Sequence, residues 1–116
     1  LCEVPARGFT LRFAATPTQP LLLQGQDGFS QKGPHPEQAS HYYSQPQLAL
    51  DATLERDGRT LAARGSGWLD HEWSTAVLDD DGAGWDWVGM NLDDGSALTA
   101  FDIRRKGGGP AVYAYA

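Results

Sequence analysis

The chain carries one cysteine, Cys2, one methionine and three histidines in 116 residues. A single cysteine closes no disulfide within the chain and builds no thiolate metal cluster. No run of about 18 apolar residues occurs, which excludes a helical membrane span. Basic residues are few, nine against fifteen acidic ones, giving a net charge of -6 and a pI near 4.8. A nucleic-acid partner is therefore not expected, because phosphates call for a basic face. Sustained i, i+3, i+4, i+7 apolar spacing over three turns is missing as well, so there is no helix long enough for a βαβ unit. The first residues, Leu1 to Pro5, show no initiator Met, basic n-region or apolar h-region. The last six, Ala111 to Ala116, read as a strand. Both ends look cut from a longer polypeptide.

What is present points to strands. Fourteen glycines and seven prolines punctuate the chain, and 41% of residues are hydrophobic, a pattern of many short strands rather than long helices. Phe9, Leu11 and Phe13 alternate with Thr10 and Arg12, the period of a half-buried strand. Pro17 and Pro20 end it, and Leu21–Gln24 is a short apolar run that periodicity does not classify. Residues 25–40 read as a loop, long enough to suggest a functional segment, without the Gly-Lys-Ser/Thr of a phosphate loop. His41–Gln45 resumes extended structure. After Pro46, Leu48, Leu50, Ala52 and Leu54 form one face of an amphipathic strand. Asp57-Gly58 is a two-residue hairpin signal leading into Thr60–Arg64. Ala76–Leu78 precedes an acidic turn at Asp79–Gly82. Trp85–Leu92, a hairpin at Asp93–Ser96, and Leu98–Arg104 follow, and Lys106–Pro110 is a flexible break. The expected fold is all-β: an antiparallel meander of seven or eight strands that curls into a barrel or half-barrel, in a single domain.

The densest chemistry lies between Trp68 and Trp73: an imidazole, two carboxylates and two indoles. Regular extension places Asp70 and Glu72 on one face, and His71 and Trp73 with Leu69 on the other. Trp85 and Trp87 share a face opposite Asp86; Asp102 and Arg104 share one opposite Phe101 and Ile103. No metal is expected, because His-Glu-x-x-His is missing and the adjacent Asp-His-Glu do not share a face. The Asp79–Asp81 run lacks the spaced ligands of a calcium loop. Ser66 lacks the Gly-x-Ser-x-Gly frame of a nucleophile elbow. A glycosidase-type carboxylate pair among Asp70, Glu72, Asp86 and Asp102 stays open, since the sequence gives no separation between them. The more economical chemistry is a carboxyl desolvated among indoles: a raised pKa lets it donate a proton near neutrality. Asp102 or Asp70, with His71, could serve, and the indole faces of Trp73 and Trp85 could stabilise a developing carbocation. Each of these residues also has an ordinary structural reading, the tryptophans as core and the acids as solvated groups.

Five segments in order, Gln26–Gly33, Ala39–Ser44, Gly67–Ser74, Gly84–Trp87 and Phe101–Arg104, resemble the AttH/CrtC group of lipocalin-like proteins. That group includes carotenoid 1,2-hydratases and exported bacterial proteins described as predicted hydrolases. The resemblance implies a two-barrel protein of which this chain is the N-terminal half. It implies no cofactor, a place in the periplasm or outside the cell, and an association with exporter systems. Carried over by motif, His71 and Asp102 would be catalytic, and Trp73, Trp85, Trp87 and Tyr43 would line the ligand site. Phe101 stands where hydratases tend to carry a tyrosine beside the late acid. Two functions follow as expectations: a binding module for an apolar, lipid- or isoprenoid-like molecule, or a hydratase that protonates an isoprenoid double bond. An open meander also leaves an unpaired edge for a second barrel half or a homodimer partner.

Overall fold

In a computed structural model describing residues 1–75 and 78–116, every regular element is a strand. They are β1 (Cys2–Ala6), β2 (Phe9–Thr16), β3 (Leu22–Leu23), β4 (Phe29–Gln31), β5 (Ala39–Arg56), β6 (Arg59–Trp73), β7 (Gly82–Asn91), β8 (Ala97–Arg105) and β9 (Tyr113–Tyr115). The first six form one antiparallel sheet and the last three a second, in the order β7-β8-β9. Among the described residues β6 pairs only with β5 and β7 only with β8. The two sheets face each other as an open half-barrel of lipocalin type, with no closed barrel among the described residues.

The 18-residue β5 is the spine. Along one edge it takes β6 over its whole length. Along the other it takes β4, β3 and β2 in succession. The Asp57-Gly58 turn sets the β5–β6 register, with φ of 50° and 70° at its two central residues and Arg56 opposite Arg59. Positive φ at both positions is the primed turn that follows strand twist, and Asp and Gly tolerate it. Pro46 does not end the strand. Gln45 lies opposite Leu69 while Leu48 lies opposite Gly67, so β5 carries one extra residue. This bulge absorbs the missing proline N–H, and Gln47 adopts a φ of 50°.

Two expectations from periodicity change in the structure. Phe29–Gln31, inside the expected loop, is a strand paired with Ala39–His41. Cys2–Ala6, which no alternation pattern marked, is an edge strand; Pro5 is tolerated there because an edge leaves one row of backbone groups unpaired. Of the apolar triplet Ala76–Leu78, the first two residues lie outside the described residues. The Asp93–Ser96 hairpin is present between β7 and β8.

Side-chain contacts fasten the sheets to each other at several places. At the bulge, the Gln47 N–H donates to Asn91 Oδ1 at 2.8 Å and its side chain donates to the Leu92 and Ser96 carbonyls. Asn91 Nδ2 returns a bond to the Gly67 carbonyl at 3.0 Å. Nearby, Trp68 meets Trp87 edge-to-face with ring centroids 6.0 Å apart. Gly89 makes this possible, since a Cβ there would lie 2.6 Å from the Trp87 ring and 2.9 Å from Trp68. At the other end Gln38 donates to Asp79 at 2.8 Å. Beyond these contacts the β1–β2 ribbon and the distal parts of β5 and β6 project as an arm. The radius of gyration is accordingly 17.7 Å, against about 13 Å for a compact chain of this size.

Candidate functional site

Of the fully buried side chains between the sheets, more are polar than apolar. Ile103, Phe101 and Tyr42 are buried there, but so are Gln24, Ser30, Lys32, Ser40 and Ser44. Buried polar groups need partners, and two carboxylates from β6 supply them. Strand alternation puts Trp68, Asp70 and Glu72 on the face turned toward the second sheet, where β5 presents Ser40, Tyr42 and Ser44. Asp70 Oδ1 accepts from Tyr42 Oη at 3.1 Å, Ser44 Oγ at 2.5 Å and Trp68 Nε1 at 2.9 Å. Gln24 donates to Ser44 Oγ at 2.8 Å and extends the chain of bonds. Burial, and then the Asp70 carboxylate, push the Tyr42 phenol above the ordinary tyrosine range. Burial also raises Tyr115, whose hydroxyl lies 3.3 Å from Ser30 Oγ.

The second carboxylate meets the one buried cation among the described residues. Glu72 Oε1 accepts from Ser40 Oγ at 2.5 Å and pairs with Lys32 Nζ at 2.8 Å. Lys32 is only 5% exposed. Its ammonium lies 4.1 Å from the centroid of the Phe101 ring and 5.2 Å from that of Tyr42, within cation–π range. The lysine arrives from the short segment after β4, where its N–H donates to the Gln38 carbonyl at 2.7 Å. A cleft of about 240 Å³ opens over this pair. Its polar floor is Lys32, Glu72 and Ser40, and its apolar walls are Phe101, Trp73, Trp85 and Leu78. Trp73 and Trp85 are each 51% exposed, so the walls are open to incoming molecules.

The residues singled out from sequence distribute over three places. Trp85 lines the cleft and Trp87 packs on Trp68 beside it, while Trp73, at the end of β6, borders the cleft's edge with its ring packed on the outer-face His41, His71 and Tyr43. His71 lies on the opposite face of the six-stranded sheet. There Tyr43 Oη lies 2.9 Å from His71 Nδ1, and His41 stacks on Trp73 with centroids 5.3 Å apart. Tyr43 belongs to this outer aromatic group. Asp102 lies on the outer face of the three-stranded sheet, paired across strands with Asp86, which Arg104 binds at 2.8 Å. Asp102 Oδ1 is buried without a hydrogen-bond partner. The structure thus brings Glu72 rather than His71 toward Trp85, and holds His71 and Asp102 apart on separate sheets.

Sequence reasoning passed over Lys32, Ser40 and Tyr42 as site residues. Two signals pointed to them. Lys32 is one of only two lysines, the other seven basic residues being arginine. The hairpin register, once the extra residue at Pro46 is allowed for, sets Tyr42 opposite Glu72. As for metals, no group of three or more His, Cys, Asp or Glu side chains converges among the described residues.

Comparison with known proteins meets this geometry at the family level. The AttH-like family model matches residues 2–116. The chain belongs to the AttH-like family. A crystal structure of a provisionally assigned AttH from the bacterium Nitrosomonas europaea is similar over 97% of this chain, with 51% identity and a TM-score of 0.89. The match covers 35% of that protein, so the chain spans about a third of its length. No curated protein matches the chain.

Proposed function

We propose that this AttH-type domain binds an apolar small molecule, lipid- or isoprenoid-like, in the cleft between its two sheets. The observation that carries the reading is the composition of the cleft. Half-exposed Trp85, with Phe101 and Leu78 and with Trp73 at the edge, stands around a floor of Lys32, Glu72 and Ser40. Ligand sites of this kind are mainly apolar, with a few polar groups that fix orientation. Bare indoles in water gain by burying area against a hydrocarbon, at about 25 cal/mol per Å². The similarity to a bacterial protein supports a bacterial setting, and an exported place is the reading that suits an AttH-type binding module. Titration with geraniol, a neutral isoprenoid alcohol, tests the proposal. Saturable quenching of tryptophan fluorescence is expected, and Trp85→Ala should weaken it. Linear, unsaturable quenching in both proteins would reject the cleft as a binding site.

A second reading is favoured by one observation, the buried Asp102 Oδ1 that lacks a hydrogen-bond partner. A carboxyl so placed suits a proton donor in a hydratase of the carotenoid type, acting without His71, which lies on the other sheet. Asp102→Asn would then abolish hydration of an isoprenoid alkene while leaving geraniol binding intact. Retained turnover in that variant would reject this reading.

A further inference from the structure

We propose that Lys32 forms an imine with an apolar aldehyde bound in the cleft, with Glu72 as its proton shuttle and counterion. The inference rests on the binding reading above and adds a ligand class and a covalent step to it. Lys32 is buried, yet it borders the cleft. A buried position that needed only a charge would be served by arginine, which the chain uses for seven of its nine basic residues. A guanidinium stays protonated and makes no imine, whereas an amine can lose its proton and attack a carbonyl. The surroundings also select among head groups. Glu72 at 2.8 Å from Nζ, with Asp70 on the same face, disfavours a carboxylate or phosphate head. A neutral carbonyl meets no such repulsion, and its hydrocarbon tail matches the indole walls.

The step balances within these groups. Glu72 takes a proton from the Lys32 ammonium, and the free amine adds to the aldehyde carbon to give a carbinolamine. Glu72 returns the proton to the departing hydroxyl, water leaves, and the carbon–nitrogen double bond forms as a protonated imine. The positive charge that began on the ammonium ends on the imine nitrogen. There it keeps Glu72 as counterion and the Phe101 ring, whose centroid is 4.1 Å from Nζ, as a cation–π partner.

The test is reductive trapping with geranial, the aldehyde counterpart of geraniol, in sodium cyanoborohydride, read by intact mass and peptide mapping. Apart from the amino terminus, the chain has only Lys32 and the exposed Lys106 as amines. One adduct is expected, heavier by the aldehyde less one oxygen atom and mapped to Lys32. Lys32→Arg, which keeps the charge, should lose it, and Glu72→Gln should slow its formation. An adduct on Lys106 or the terminus with equal yield, or one unchanged in Lys32→Arg, would overturn the proposal. If Lys32→Arg does not fold, the peptide map of the unaltered protein decides the same question. Saturable geraniol quenching without a Lys32 adduct would defeat the imine and leave the binding reading standing. Absence of both would defeat both.

Discussion

The two ends of the six-stranded sheet are built from the same two long strands, β5 and β6, yet they solve opposite problems. At the arm, the alternation is amphipathic in the ordinary way. One face carries ion pairs: Arg12 lies 2.6 Å from Glu3 and 2.7 Å from Glu55, and Arg64 lies 2.8 Å from Asp51. The other face sets Val4, Leu11, Leu54 and Leu61 side by side across four strands, next to Phe13, Ala52 and Ala63. At the end facing the second sheet, the enclosed face is instead the polar one. Serines, a glutamine and a lysine are buried there and satisfied by Asp70 and Glu72. An alternating pattern therefore divides a strand into two faces without saying which is enclosed. What each face meets is decided by elements far away in the chain.

The sharpest way to break this comparison is to delete equal amounts of side chain from each region. Ile103, fully buried between the sheets, should lose about 2–5 kcal/mol of stability as Ile103→Ala, from lost transfer energy and the residual cavity. Leu61, 59% exposed on the arm, should change stability by no more than about 0.5 kcal/mol as Leu61→Ala. Urea melts of the two variants check this, and equal losses would mean that the arm's apolar face is already covered in solution.

The contact between the sheets should respond next. Gly89→Ala forces a methyl group against the rigid rings of Trp68 and Trp87, at a cost of about 1–3 kcal/mol for an overpacked site. Gly58→Ala at the arm's turn meets no atom within 4 Å but must hold a φ of 70°, so its effect comes from backbone strain alone. A blue-shifted or broadened tryptophan emission should accompany Gly89→Ala and not Gly58→Ala.

The smallest expected effect is a dependence on alkaline pH. Because the folded state raises the Tyr42 pKa, the neutral phenol is the form the fold favours. That stabilisation is fully present below the unfolded tyrosine value of about 10 and is lost as pH rises toward the folded value. Stability should fall above about pH 10, and Tyr42→Phe should flatten part of the decline. Tyr115, raised in the same direction, leaves a remainder. An unaltered slope in Tyr42→Phe would show that Tyr42 is not held protonated by its surroundings.

Much of the fold was legible because its signals are local. The Asp57-Gly58 turn and the alternation from Leu48 to Leu54 define the central hairpin, and the opposite facing of Asp70–Glu72 and His71–Trp73 follows from strand geometry. Which of those faces looks inward was not legible. The resemblance favoured His71 and Trp73, but the one-residue bulge at Pro46 and the placement of the second sheet bring Asp70 and Glu72 to the interior. Lys32 was hidden in a glycine-rich stretch read as loop. Its burial depends on contacts with Glu72 and Phe101, 40 and 69 residues further along the chain. Periodicity has no access to contacts of that range.

Amide and indole resonances of isotopically labelled protein, followed during addition of geraniol, show where on the molecule the ligand sits. Binding in the cleft produces saturable shifts at the indole N–H groups of Trp73 and Trp85 and at the amides of Lys32, Glu72 and Phe101, with Leu11, Phe13, Leu54 and Leu61 unmoved. Shifts concentrated on those four arm residues, with the cleft unmoved, would contradict it.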